Sequence, residues 1–191
     1  MCVLRNRYYG FRHGQSRAND EGIIVSDPAL GTVEYGLTEE GRRQVVASLK
    51  TADVFDSESV LFSSDFRRAR ETAEIIRSEL GCAEIVFDVR LRERFFGDWE
   101  GKRHEHYSRA WKQDEFDPER EYHGAESSAS VQRRMWAVIE SLEQQMAGKT
   151  IVLVSHGDPL MLLQTAFLDL GPSRHRSLPY IETAGWRLLN P

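Results

Sequence analysis

The chain has 191 residues, with 25 Lys plus Arg against 30 Asp plus Glu, and 40% of it is hydrophobic. That length suits one domain, 1–191, carrying at most a substantial insert, and the composition excludes a disordered chain. The formal net charge of −5 gives no bulk electrostatic case for nucleic acid, and no apolar run reaches the roughly 20 residues of a membrane span.

In chain order, the opening MCVLRNRYYGF sets arginines where a secretory signal would carry its apolar stretch, so a cytoplasmic protein is expected. Cys2 and Cys82 lie far apart and form no ligand-like cluster, which fits a reducing compartment better than a disulfide framework. RYYGF (7–11) reads as a strand, followed by the turn Arg12-His13-Gly14. Thr38 is a plausible N-cap, with Glu39 and Glu40 in the first turn, where the macrodipole favours acids. VLFS (60–63) is a second strand. After it Phe66, Ala69, Ala73, Ile76 and Leu80 recur at helical steps until Gly81 stops them.

EIVFD (84–88) is a third strand. Residues 98–127 break the rhythm, holding Trp99, Tyr107, Trp111, Phe116 and Tyr122 among charges, and are expected to form a lid or an irregular helical insert. Val131, Met135, Val138, Ile139, Leu142 and Met146 share one helical stripe. TIVLV (150–154) is a fourth strand, SHGDP opens a further helix with Pro159 near its first turn, and GWRLL (185–189) closes the set. Strands alternating with helices predict a three-layer α/β/α sandwich around a mostly parallel sheet.

Reactive side chains gather just after four of these strands, where open α/β sheets collect their ligands. They are Arg12 and His13, then Arg67 and Arg68, then Glu93, then His156 with Gly157. Each has a plain structural reading: a hydrogen-bonded histidine, a solvated helix start, a surface cluster of Glu93 with Arg90, Arg92 and Arg94. Ser16 and Asn19 are ordinary turn residues. Jointly the plain readings fail, because four strand ends would each carry phosphate-compatible or acid–base groups by chance. Glycine twice follows the histidine, allowing close backbone approach to a ligand. His104-Glu105-His106 has ligand-like spacing, but a solvated turn is the expected reading, and no metal site is expected.

Five segments in order, FRHGQSRAN, GLTEEGRRQ, SSDFRRARETAEII, LRERFFGDWEG and VLVSHGDPL, resemble the histidine phosphatase superfamily, the phosphoglycerate-mutase-like family, over nearly the whole chain. The resemblance implies that His13 is a nucleophile that becomes phosphorylated. It implies that Arg12, Arg68 and His156, with Asn19, Ser16 and Gly157, bind the transferring phosphate, and that Glu93 is the acid. Arg68 is chosen over Arg67 because the family arginine directly precedes an alanine, here Ala69. HGAES (123–127) carries an extra Ala125 relative to a family block, so no binding role is transferred to it. Asp158 is expected to turn toward its helix N-terminus as a cap.

The chemistry is coherent in its own terms. A phosphoryl group in transfer spreads negative charge over its oxygens, and two guanidiniums and an imidazole answer it. Cations beside His13 favour its neutral, reactive form. The resulting expectation is a metal-independent phosphomonoesterase that needs no cofactor and acts on a small phosphorylated metabolite. Rival readings are a phosphoglycerate mutase, a protein phosphatase, and a non-catalytic module that reads phosphate. A homodimer is allowed for.

Overall fold

A computed structural model describes residues 4–190. Its five strands are β1 (Arg7–Arg12), β2 (Val60–Ser63), β3 (Ile85–Phe87), β4 (Thr150–Ser155) and β5 (Trp186–Leu188). They form one sheet in the order β3-β2-β4-β1-β5. The first four run parallel, and β5 joins β1 antiparallel at the edge. The expected sandwich with a mostly parallel sheet is therefore the observed fold.

Alternation along the strands decides which helices cover which face. Tyr8, Ile151 and Leu153 pack with Val131, Met135, Val138, Ile139 and Leu142 of α6 (Ser128–Gln145) and with α7 (Gly157–Phe167). Their chain neighbours Tyr9, Phe11, Val152 and Val154 pack on the opposite side. There they meet Val45 of α3 (Glu39–Leu49) and Ala69, Ala73 and Ile76 of α4 (Arg67–Leu80). The helical stripes read from the sequence are thus the buried stripes. Thr38 caps α3 by accepting from the Gly41 amide, and Gly81 ends α4 at a left-handed φ of 73°.

Two short helices were not foreseen, α1 (Arg17–Glu21) and α2 (Pro28–Gly31). At 5 and 4 residues neither is long enough to show a periodic stripe. Residues 98–127 contain 3-10 turns at Gly97–Trp99 and His104–His106 and the helix α5 (Tyr107–Phe116). Three of their aromatics are packed, as Trp99, Tyr107 and Tyr122 join Ile24, Phe96, Ala110 and Ala125 in a third apolar cluster, whereas Phe116 is 83% exposed.

Arg94 anchors this region. It is 1% exposed, and its guanidinium reaches Asp114 of α5 at 2.6 and 2.9 Å and donates to the Glu126 carbonyl. Glu126 instead holds Arg134 of α6 through both carboxylate oxygens. Cys82 is a free thiol in a buried setting, whereas Cys2 lies outside the described residues. Among the described residues no helix is long and apolar enough to cross a membrane.

Candidate active site

Strand register brings the two histidines together. Arg12 pairs with Ser155 across β1 and β4, so the next residue of each strand, His13 and His156, leaves the sheet side by side. The His13 amide donates to the Ser155 carbonyl, and the two imidazole centroids stand 5.1 Å apart. On the other side of β4, the Ser64 amide donates to the Val154 carbonyl and Ser64 Oγ meets His156 Nε2 at 2.9 Å. α4 starts just beyond Ser64 and delivers Arg68. β3 leads through a 3-10 turn at Val89–Leu91 to Glu93.

These chain segments open onto a cavity of about 250 Å³. Its walls include Arg12, His13, Ser16, Asn19, Arg68, Glu93 and Gly157, so seven of the eight expected residues line one space. The eighth, His156, is fully buried behind that wall, with Nδ1 3.9 Å from Glu93 Oε2.

His13 Nδ1 sits 2.7 Å from the Gly14 carbonyl, which requires its proton there and leaves the lone pair on Nε2. Arg68 Nε donates to that Nε2 at 3.1 Å. Arg68 Nη2 also lies 3.8 Å from Glu93 Oε2. Arg67, by contrast, turns outward to Glu71. Among the described residues, Arg12 Nε, Arg68 Nη1 and His156 Nδ1 are buried nitrogens with no hydrogen-bond partner. Buried donors left this way are costly unless a ligand completes them.

Burial is the largest cause that holds His13 well below its usual pKa, followed by Arg68 and then Arg12. The cation adjacent in sequence matters less than the one the fold supplies. Burial likewise pushes Glu93 up to about 7 against the opposing pull of Arg68, with Asp158 adding to the rise. A neutral imidazole and a protonated carboxyl therefore coexist near neutrality.

Ser16 and Asn19 are occupied with each other. Ser16 caps α1, its amide and hydroxyl both donate to Asn19 Oδ1, and the Asn19 amide donates back to Ser16 Oγ. That leaves the Asn19 side-chain nitrogen as the donor this pair can offer.

The glycines after the histidines serve packing. A Cβ on Gly14 would stand 2.5 Å from the Gly41 carbonyl of α3, and one on Gly157 would stand 2.7 Å from the Tyr180 hydroxyl. The crowding comes from protein neighbours in both cases, whatever the ligand requires.

Asp158 departs from its expected role as a cap. Position 156, not 158, is the N-cap of α7 and makes no side-chain cap bond. Asp158 faces the cavity at 5% exposure, with the Trp111 indole donating to both its oxygens at 3.0 Å and Arg94 Nη1 3.6 Å away. An indole N–H and a guanidinium are better partners for a buried carboxylate than helix amides facing away from it.

His104 is also less solvated than expected. It lines the cavity, with Nε2 3.0 Å from the Ile23 carbonyl. Sequence reasoning missed Tyr180 and gave no site role to Tyr107 or Trp111. Their aromatic clustering within 98–127 was visible, but the direction each ring faces was not. Tyr107 and Trp111 stack at 5.6 Å with 7° between their planes.

A family model described as the histidine phosphatase superfamily (branch 1) matches residues 9–191. Glucosyl-3-phosphoglycerate phosphatase of Mycobacterium tuberculosis is 32% identical over 197 residues, covering 94% of this chain and 82% of that protein. A probable phosphoglycerate mutase of Klebsiella pneumoniae is 32% identical over 176 residues, covering 89% of this chain and 78% of the relative. The solved structure of mycobacterial glucosyl-3-phosphoglycerate phosphatase with VO3 matches with a TM-score of 0.79 at 29% identity, over 94% of this chain and 90% of that one. A match that runs from β1 to the last residue takes in all four strand ends that build the cavity, and the chain belongs to the histidine phosphatase superfamily.

Proposed function

We propose that this phosphomonoester hydrolase acts on a small phosphorylated metabolite, with His13 carrying the phosphoryl group between two half-reactions. In the first, His13 Nε2 attacks phosphorus, the P–O bond to the alcohol breaks, and Glu93 gives its proton to the leaving oxygen. In the second, Glu93 takes a proton from water as its oxygen attacks phosphorus, and the P–N bond breaks to return His13 and inorganic phosphate. Arg12, Arg68, His156 and the Asn19 amide hold the equatorial oxygens. This route calls for no metal and no cofactor.

The observation that carries the reading is the set of three buried, unpartnered nitrogens, Arg12 Nε, Arg68 Nη1 and His156 Nδ1, gathered about His13. They supply donors in several directions around one centre, as a phosphoryl group requires. The cavity of about 250 Å³ favours a small ester over a folded protein segment. Residues 98–127 act as the specificity insert in this reading, since His104, Tyr107 and Trp111 line the cavity. Relatives named for phosphatase and for mutase activity are both present, and hydrolysis is the reading the compact insert favours.

The deciding experiment is a screen of sugar phosphates, phosphoglycerates, nucleotides and phosphopeptides, with and without a chelator. Release of inorganic phosphate from small esters, undiminished by chelator, is expected. A strict need for added divalent metal would count against the mechanism. Conversion of 3-phosphoglycerate to 2-phosphoglycerate in the presence of a bisphosphoglycerate primer would turn the reading to a mutase.

A further inference from the structure

Charge in the cavity is unevenly placed. Arg12 and Arg68 are the Lys or Arg side chains that line it, and a phosphoryl dianion would satisfy both. What faces the rest of the substrate is Asp158, Glu93, His104 and the rings of Phe96, Tyr107, Trp111 and Tyr180.

Among the described residues, no cation is given to Asp158 alone. Arg94 is 3.6 Å from it but is already held by Asp114 in a two-bonded pair at 2.6 and 2.9 Å. One cation shared by two buried carboxylates leaves the trio with a net negative charge. The Trp111 indole contributes a dipole and no charge. Arg176 lies over the face of the Trp111 ring at 3.8 Å, while Asp158 meets the N–H at that ring's edge; Arg176 makes no ion pair with Asp158 and is absent from the cavity wall.

We propose that Asp158 is a specificity-determining residue, selecting phosphomonoesters whose alcohol part is uncharged and hydroxylated. It would discriminate against those carrying a carboxylate or a second phosphate. This deepens the hydrolase reading and rests on it. A substrate hydroxyl donates to a free lone pair of the Asp158 carboxylate, while the flat Tyr107–Trp111 stack receives its carbon face. A second anion at the same place meets Asp158 in a setting largely removed from water, where like charges repel strongly.

Two esters with one skeleton and one C2 configuration isolate the effect: sn-glycerol 1-phosphate and D-3-phosphoglycerate differ only by a hydroxymethyl group in place of a carboxylate. Wild-type kcat/KM is expected to be at least about tenfold higher for the glycerol ester, and Asp158→Asn to shrink that ratio by about tenfold or more. Both esters leave as alkoxides, so any effect of the variant on Glu93 cancels in the ratio. Asparagine retains an oxygen for the Trp111 indole.

A wild-type ratio at or below one overturns the proposal. So does an unchanged ratio in an Asp158→Asn protein that still turns over p-nitrophenyl phosphate. Equilibrium binding of the two esters to His13→Ala, with and without Asp158→Asn, reads the same preference without turnover and must move the same way. Failure of the hydrolase reading would look different, as a wild-type protein inactive on p-nitrophenyl phosphate and on both esters.

Discussion

Arg68 Nε donates to His13 Nε2 at 3.1 Å, so a guanidinium from the second strand–helix turn already addresses the one imidazole atom able to attack phosphorus. The opposite nitrogen is tied to the Gly14 carbonyl at 2.7 Å, which sets the tautomer before substrate arrives. In the proposed route, an incoming phosphoryl group would take over Arg68 from that lone pair and expose it to the electrophile in the same movement.

His13→Ala should therefore abolish turnover, by about 10³-fold or more, because the remaining donors can bind an ester but cannot split it in two steps. Rapid quenching of the wild type under basic conditions, with labelled substrate, should leave the label on His13. Label recovered on any other residue would refute the assignment.

Arg67 and Arg68 are neighbours with opposite fates. Arg68 is 4% exposed in the cavity wall, whereas the Arg67 side chain is 43% exposed and pairs with Glu71. Arg68→Met should lower kcat by about 10²–10³-fold, the scale of losing one donor to transition-state charge. Arg67→Met loses a bond to the Val33 carbonyl and one of the two arginines on Glu71, which keeps Arg42, and neither contact lies in the cavity wall, so kcat should change far less. Steady-state kinetics of the two variants would expose an error if Arg67→Met proved the more damaging.

The pH profile follows from which form of each group works. Glu93 acts as the acid only when protonated, and its pKa is pushed up to about 7, so kcat/KM on an alkyl phosphate should decline as pH rises through that value. His13 attacks only when neutral, and its pKa lies well below the usual 6.5, so the acid limb should appear well below that pH. Glu93→Gln should remove the upper limb and cost about 10²–10⁴-fold on alkyl phosphates. It should cost much less on p-nitrophenyl phosphate, whose leaving group hardly needs a proton. Equal losses on both substrates would contradict the role.

Gly41 is where α3 touches the turn that carries His13 and Gly14. A Cβ there would stand 2.0 Å from the Gln15 carbonyl, a backbone atom that cannot swing aside. Gly41→Ala should destabilise the fold by about 1–3 kcal/mol, the usual cost of overpacking. It should also lower kcat, because Gln15 follows the His13-Gly14 turn. Urea unfolding together with kinetics checks both. A variant as stable and as active as the parent would show that the contact relaxes freely.

Much of this was legible from the chain. Short runs rich in β-branched and aromatic residues named the five strands, apolar stripes of period 3.6 named α4 and α6, and start signals at Thr38 and Pro159 named α3 and α7. Local motifs at strand ends marked His13, Arg68, Glu93 and His156, since chemistry confined to a turn leaves its residue types in consecutive positions. The two short helices and the exact placing of residues 98–127 left no such repeat.

Tertiary structure decided what depends on neighbours distant in sequence. Ser16 and Asn19 were recognisable as candidates, but that they spend most of their polar atoms on each other is visible only from their hydrogen bonds. Asp158 read as a cap because a helix start was its only neighbour in the sequence. Trp111, 47 positions earlier, turned it into the cavity. The elevated pKa of Glu93 likewise comes chiefly from burial, a property of the packed walls and not of the arginines beside it in the chain. Residue type and spacing determine which groups are available. Desolvation and long-range partners determine what each becomes, because both act through space that the folded chain alone defines.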